Sequence, residues 1–160
     1  MSIVLIIGAN GQIGSELTQK LREMHGNTNV ITSDIRVSNA EHVNSGLFEI
    51  LDAKDFEAVK SCVEKHKIDT VYLMAAMLSA TCEKHPLRAW DLNMNSLFHV
   101  LNLAKEGMIK KVFWPSSIAV FGPTTPSTQT PQHTIMEPTT VYGITKQVGE
   151  RWCEYYHKQY

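Results

Sequence analysis

Cysteine is scarce and unpatterned: Cys62, Cys82 and Cys153 are the only three, with no CxxC pair and no Cys/His cluster. An odd, scattered set excludes a disulfide framework and a structural zinc site, and reads as reduced packing cysteines. Long apolar runs are also missing. The run at residues 3–7 is short, and no run comes near the roughly 20 residues that cross a bilayer. No basic segment leading into an apolar stretch opens the chain, so no membrane role is expected and the expected location is cytoplasmic. Neither charge is in surplus. Fifteen Lys and Arg against sixteen Asp and Glu leave a net charge of -1, which gives no electrostatic case for nucleic acid or an acidic membrane. A small polar molecule is the expected partner. His25, His42, His66, His85, His99, His133 and His157 stand at no metal-ligand spacing, so no metal is expected, and only His133 sits in a suggestive loop. With 43% hydrophobic and 19% charged residues, the 160-residue chain suits one globular domain with a good core.

What is present begins with residues 2–7 (SIVLII), a short apolar run rich in β-branched residues, as in a strand buried on both faces of a parallel sheet. Gly8, Gly11 and Gly14 follow directly, then a helical pattern over residues 15–24 carrying Leu17 and Leu21. Three glycines at fixed spacing between strand and helix allow a tight turn, backbone approach to a pyrophosphate, and close helix packing. The spacing is GxxGxxG rather than GxGxxG, and a plain structural turn is the competing reading. No lysine follows the glycines, which excludes a Walker A phosphate loop. The next strand, residues 29–33, ends at Asp34, twenty residues past Gly14. An acidic side chain there accepts from both adenosine ribose hydroxyls and repels a 2′-phosphate, which points to NAD. Arg36 can pair with a 2′-phosphate, stack on adenine, or lie in solvent.

Further strands are expected at residues 46–50, 70–74 and 110–114, with helices at 55–65, where Asp55 is an N-cap, and at 86–106, where Gly107 closes the end. Ala75 and Ala76 at a strand's carboxyl end leave room for a ligand or pack as ordinary small residues. Five βα steps predict an α/β fold of the Rossmann type: a doubly wound parallel sheet with right-handed crossovers, ordered 3-2-1-4-5. Four of the six prolines fall in residues 123–138, among serines and threonines, a loop too Pro-rich for a helix and long enough to border an active site. Two hydroxyls, Ser116 and Ser117, lie where the fifth strand ends.

The last helical segment, from about residue 140, opens with Tyr142-Gly143-Ile144-Thr145-Lys146. Four residues apart on a helix, phenol and ammonium share one face. Lowering a tyrosine from about pH 10 by about 3 units takes about 4 kcal/mol, which a partly desolvated cation at about 4 Å can supply. An isolated YxxxK is common, and its meaning comes from its company.

With Gly8, Gly11, Gly14, Asp34, Ser117, Tyr142 and Lys146 in this order, the chain resembles the extended short-chain dehydrogenase/reductase superfamily (NAD-dependent epimerase/dehydratase), across essentially all of its length. The wording of PSSIAVFGP, TPQHTIMEPTTVYGITKQ and GERWCEYY is most similar to the branch of short-chain type L-threonine 3-dehydrogenases. The resemblance implies a catalytic set of Ser117, Tyr142 and Lys146, with Ser117 and Ser79 holding the substrate, L-threonine. It implies that Gln12 and Ile13 contact the pyrophosphate, that Asp52 meets the adenine, that Leu73, Ala75 and Ala76 meet the middle of NAD, and that Asn10 and Ala53 belong to the same cofactor site. Phe121 stands where the family motif carries Tyr, and Ser96 replaces the Gly of the segment matched by Asn93 and Asn95. The implied reaction oxidises L-threonine to 2-amino-3-oxobutyrate.

Two other functions stay open. A nucleotide-sugar epimerase uses the same Ser, Tyr and Lys, and a non-catalytic NAD-binding protein is the alternative from another class. A 4,6-dehydratase is disfavoured, since Ile118-Ala119-Val120 after Ser117 cannot move a proton. Superfamily members are longer, so the whole chain reads as the NAD-binding Rossmann domain carrying the catalytic residues, without the C-terminal substrate domain. It is expected to bind NAD and to oxidise threonine poorly alone. The resemblance further implies a homodimer through the helices at 86–106 and 140–160, with Leu97, Leu101, Val148 and Trp152 at its face, against a reading in which these residues pack inside one chain.

Overall fold

The computed structural model describes residues 2–38, 40 and 45–160, and His42 lies outside them. By internal packing the chain falls into two compact units, Met1–Ala76 with Asn95–Pro115, and Met77–Met94 with Ser116–Tyr160.

The first unit holds the whole sheet: β1 (Val4–Ile7), β2 (Val30–Asp34), β3 (Phe48–Ile50), β4 (Thr70–Leu73) and β5 (Lys111–Phe113), all parallel, in the order β3-β2-β1-β4-β5. The expected order is therefore found. Val4 to Ile7 are all buried, as a continuous β-branched run in a central strand requires. The crossover from β1 to β2 runs toward one edge and that from β4 to β5 toward the other. Right-handed connections therefore put α1 (Gln12–His25) on one face and α2 (Phe56–His66) and α5 (Ser96–Lys105) on the opposite one. The reversal leaves a crevice at the carboxyl ends of β1 and β4, where open α/β sheets bind ligands.

Local signals account for the helix ends. Asp55 accepts from the Ala58 amide at 3.0 Å and starts α2. Gly107, at φ +73°, ends α5, its amide bonding Ala104 O at 3.0 Å while Met108 bonds Leu103 O. Arg22 of α1 is buried, which the leucine spacing does not show. Its guanidinium donates to Ser45 Oγ at 2.7 Å and to Thr32 Oγ1 and Leu47 O at 3.3 Å, and burial pushes its pKa down.

The second unit is helical: α3 (Ser79–Lys84), α4 (Pro86–Trp90), a 3₁₀ turn (Ile118–Val120) and α6 (Val141–Gln159), the last capped by Thr140 Oγ1 accepting from the Gly143 amide at 3.0 Å. The helix expected over residues 86–106 is not uniform. A π-helical turn, Asp91–Asn95, interrupts it and turns Asn93 into the interior, 1% exposed. The widened turn is held because the Asn93 amide is satisfied there: Oδ1 accepts from the Met77 amide at 2.8 Å, and Nδ2 donates to Met77 O and Thr145 Oγ1 at 3.2 Å. Leu97 and Leu101 are 0% and 4% exposed, so they serve the chain's own core and cannot form the dimer face expected of them. Among the described residues, no helix is long and apolar enough to cross a membrane.

Candidate functional site

The first unit carries the glycine turn. Gly8 takes φ +93°, and a Cβ on it would lie 2.6 Å from the Ala75 nitrogen, so conformation and space both require glycine. A Cβ on Gly14 would fall 2.3 Å from Gly8 O, which is the price of bringing α1 so close to the turn. Gly11 differs. Its φ is -71°, and an added Cβ would meet nothing nearer than Gly8 O at 3.4 Å, an ordinary contact. The fold does not need glycine there; what the absent side chain keeps open is the approach to the N-terminus of α1. That terminus has no side-chain cap and no acidic residue in its first turn, so its amides and partial positive charge face outward. Gln12 opens the helix and Ile13 beside it is exposed. The cradle fits the pyrophosphate of a dinucleotide.

At the carboxyl end of β2, Asp34 Oδ2 accepts from the Asn10 amide at 3.1 Å and Oδ1 from the Ile35 amide at 2.8 Å. Each carboxylate oxygen has a second lone pair for a ribose hydroxyl. Arg36 is exposed, and its carbonyl accepts from Asn10 Nδ2 at 2.6 Å. Met74 and Ala75 amides both donate to Ile7 O, at 2.8 and 2.9 Å, drawing the ends of β4 and β1 together, with Ala75 and Ala76 half-buried. Gly8, Asn10, Gly11, Gly14, Asp34, Arg36 and Ala75 therefore surround one turn. Leu73 is core, and so is Ala53, whose carbonyl accepts from His99 Nδ1 at 3.1 Å; Asp52 is exposed and accepts from the Lys54 amide at 2.9 Å.

The second unit carries the catalytic candidates. Ser117 caps the 3₁₀ turn, its Oγ accepting from the Ala119 amide at 3.2 Å. Gly143, between Tyr142 and Lys146, brings that turn against the start of α6: an added Cβ would lie 2.1 Å from Ala119 O. Tyr142 is thus fastened beside the segment that holds Ser117. The Lys146 ammonium lies 5.6 Å from the centroid of the Tyr142 ring. Lys146 is 2% exposed, and burial pulls its pKa down to about 8, with Cys153 and Cys82 opposing the shift weakly. At neutral pH it is still mostly the cation, held where little water screens it.

A cavity of about 500 Å³ opens beside Ser117, bordered by Ser116, Gln132, His133, Thr134 and Glu150. The Pro-rich loop supplies one wall, and Gly122 packs on it so closely that a Cβ would overlap Glu137 O. Ser116 Oγ donates to the Glu150 carboxylate, which ties the serine pair to α6. Ser79 is the exposed first residue of α3, and α3 is joined to α6 where Glu83 Oε1 accepts from the Val141 amide at 2.7 Å. Sequence patterns did not single out Asn93 as a clamp, Glu150, or the Thr140 cap. The cap was findable from a threonine just ahead of the helical run, while Glu150 and Asn93 have partners 34 and 52 residues away. Among the described residues no three His, Cys, Asp or Glu side chains gather to hold a metal.

The sequence matches the NAD dependent epimerase/dehydratase family over residues 4–160. An uncharacterized epimerase/dehydratase of Staphylococcus haemolyticus (strain JCSC1435) is 49% identical, the alignment covering 100% of this chain and 50% of that protein. Among solved structures, an L-threonine dehydrogenase of Cupriavidus necator in its holo form is 57% identical with a TM-score of 0.92, over 98% of this chain and 51% of that one. An L-threonine dehydrogenase of Clostridium difficile is 49% identical with a TM-score of 0.94, over 99% and 50%. The chain spans about half the length of the curated relatives it matches.

Proposed function

Because the chain belongs to the NAD dependent epimerase/dehydratase family, we propose that it is the cofactor-binding and proton-transferring part of an L-threonine 3-dehydrogenase. The observation that carries the chemistry is the fixed order of Ser117, Tyr142 and Lys146 in the second unit, with Gly143 pressed on the Ser117 turn and the buried ammonium over the phenol ring. The likeness to threonine dehydrogenases at 57% and 49% identity supports the choice of substrate.

NAD is the cofactor proposed, held by the α1 terminus and the Asp34 carboxylate, and it supplies the acceptor for the hydride that leaves threonine Cβ. The protein's own residues handle the proton. Ser117 Oγ donates to the substrate β-hydroxyl and orients it, and the Tyr142 phenolate accepts the hydroxyl proton as the C–O bond becomes a carbonyl. Lys146 stabilises that phenolate as a poorly solvated cation. The substrate loses one hydride and one proton and becomes 2-amino-3-oxobutyrate. Trp152 and Tyr155 on α6 and Tyr160 just past its end, exposed by 37%, 47% and 61% and in ring contact with one another or with Tyr156, are the proposed homodimer face.

The test is NADH formation from NAD with L-threonine, beside the same protein given a UDP-hexose. Threonine-dependent NADH that disappears in Tyr142→Phe supports the assignment. Interconversion of the UDP-hexose without threonine oxidation would make it a nucleotide-sugar epimerase instead.

A further inference from the structure

Asn10 occupies the glycine turn and bonds twice to the segment that follows β2. Its backbone amide donates to Asp34 Oδ2 at 3.1 Å, a bond that any residue but proline could make. Its side chain adds a second: Nδ2 donates to the Arg36 carbonyl at 2.6 Å. Only asparagine among the common residues offers an amide donor on so short a stem, since aspartate has the length without the donor and glutamine is one carbon longer. Upstream, the Gly8 and Ala9 amides donate to Ser33 O at 2.9 and 3.0 Å. The exit of β2 is thus laced to the turn at residues 33, 34 and 36. Burial gives that exit little help, because Ile35 and Val37 are 58% and 60% exposed.

We propose that the Asn10 side chain is a positioning residue that fixes the spacing between the Asp34 carboxylate and the N-terminus of α1. The proposal rests on the NAD reading above. A dinucleotide engages both ends at once, its adenosine ribose at Asp34 and its pyrophosphate at α1. It therefore gains from a spacing set before it arrives. A ligand that meets one end alone gains nothing from it. Removing the tie should weaken NAD and leave the two partial ligands almost as they were, a pattern that general loosening of the fold does not produce.

The experiment titrates NAD by calorimetry, and adenosine and inorganic pyrophosphate by NMR, into the wild-type chain, Asn10→Ala and Asn10→Leu. Leucine keeps the shape of asparagine without its donor. Both variants should raise the NAD Kd by about 3- to 10-fold, the size of one hydrogen bond's net worth. Adenosine and pyrophosphate should stay within about twofold, while the thermal midpoint of the free protein falls by no more than the few degrees that one hydrogen bond is worth. Unchanged NAD affinity in both variants overturns the proposal, as does parallel weakening of all three ligands. Failure of the wild-type chain to take up NAD overturns the cofactor reading first and this proposal with it, and that outcome is visible before any variant is compared.

Discussion

Lys146→Met should make the free protein more stable while destroying its turnover. The side chain is 2% exposed, and burial lowers its pKa from 10.5 to about 8. The unfolded chain therefore binds this proton more tightly than the folded one, which costs about 3 kcal/mol of folding free energy at pH 7. Between the two pKa values the folded ammonium loses its proton first, so stability rises as the pH rises from about 8 toward 10.5. Integrating over that window, the wild-type chain should gain about 2 kcal/mol between pH 7 and pH 9.5 that the methionine variant does not. Methionine keeps the unbranched stem and its packing, so little offsets the gain except the polar contacts of the ammonium. Urea unfolding of both proteins at the two pH values measures the difference directly. Lower stability of the variant at pH 7, or the same pH dependence in both proteins, would refute the reasoning: the ammonium would then be stabilised by its surroundings, not strained by burial.

Tyr142→Phe should keep the NAD Kd within a few fold by calorimetry and lower turnover by at least about 10²-fold, since only the proton acceptor is lost; retention of a tenth of the activity would require another base. Gly143→Ala forces a Cβ to 2.1 Å from Ala119 O, so the first turn of α6 must shift from the Ser117 segment. Thermal unfolding should show a loss of about 1–3 kcal/mol, and steady-state kinetics should show a fall in kcat. At the sheet edge, Lys65 at 2.7 Å and His66 at 2.6 Å hold the Glu49 carboxylate below its usual range. Its contribution is complete above the ordinary value of 4.5 and is lost as the pH falls through the lowered one, so Glu49→Gln should flatten the acid limb of a pH-stability curve.

The parts legible in the sequence are those whose causes are local. β1 is a run of apolar residues with no polar interruption, and Gly8, Gly11 and Gly14 stand at one strand-to-helix junction, so strand, turn and helix are read from neighbours. Right-handed crossovers narrow the sheet to the doubly wound orders, and the glycine turn after the first strand favours 3-2-1-4-5 among them. What stays hidden depends on partners distant in the chain. Asn93 looks like an exposed polar residue on a regular helix until Met77 and Thr145 are placed around it and a π turn carries it inward. Arg22 lies on a face that reads as solvated, yet its stem is buried because Thr32, Ser45 and Leu47 supply acceptors from another strand and loop. Leu97 and Leu101 show only that a helix has an apolar face, and burial decides that the face belongs to this chain's core.

The central claim is that Ser117, Tyr142 and Lys146 serve threonine oxidation with NAD. Its most direct measurement is the rate of NADH formation from NAD and L-threonine by a protein carrying this chain at the full length of its relatives, with UDP-glucose in a parallel assay. Saturable, threonine-dependent NADH formation that Tyr142→Phe abolishes is the predicted result. Epimerisation of UDP-glucose with no NADH from threonine would contradict it.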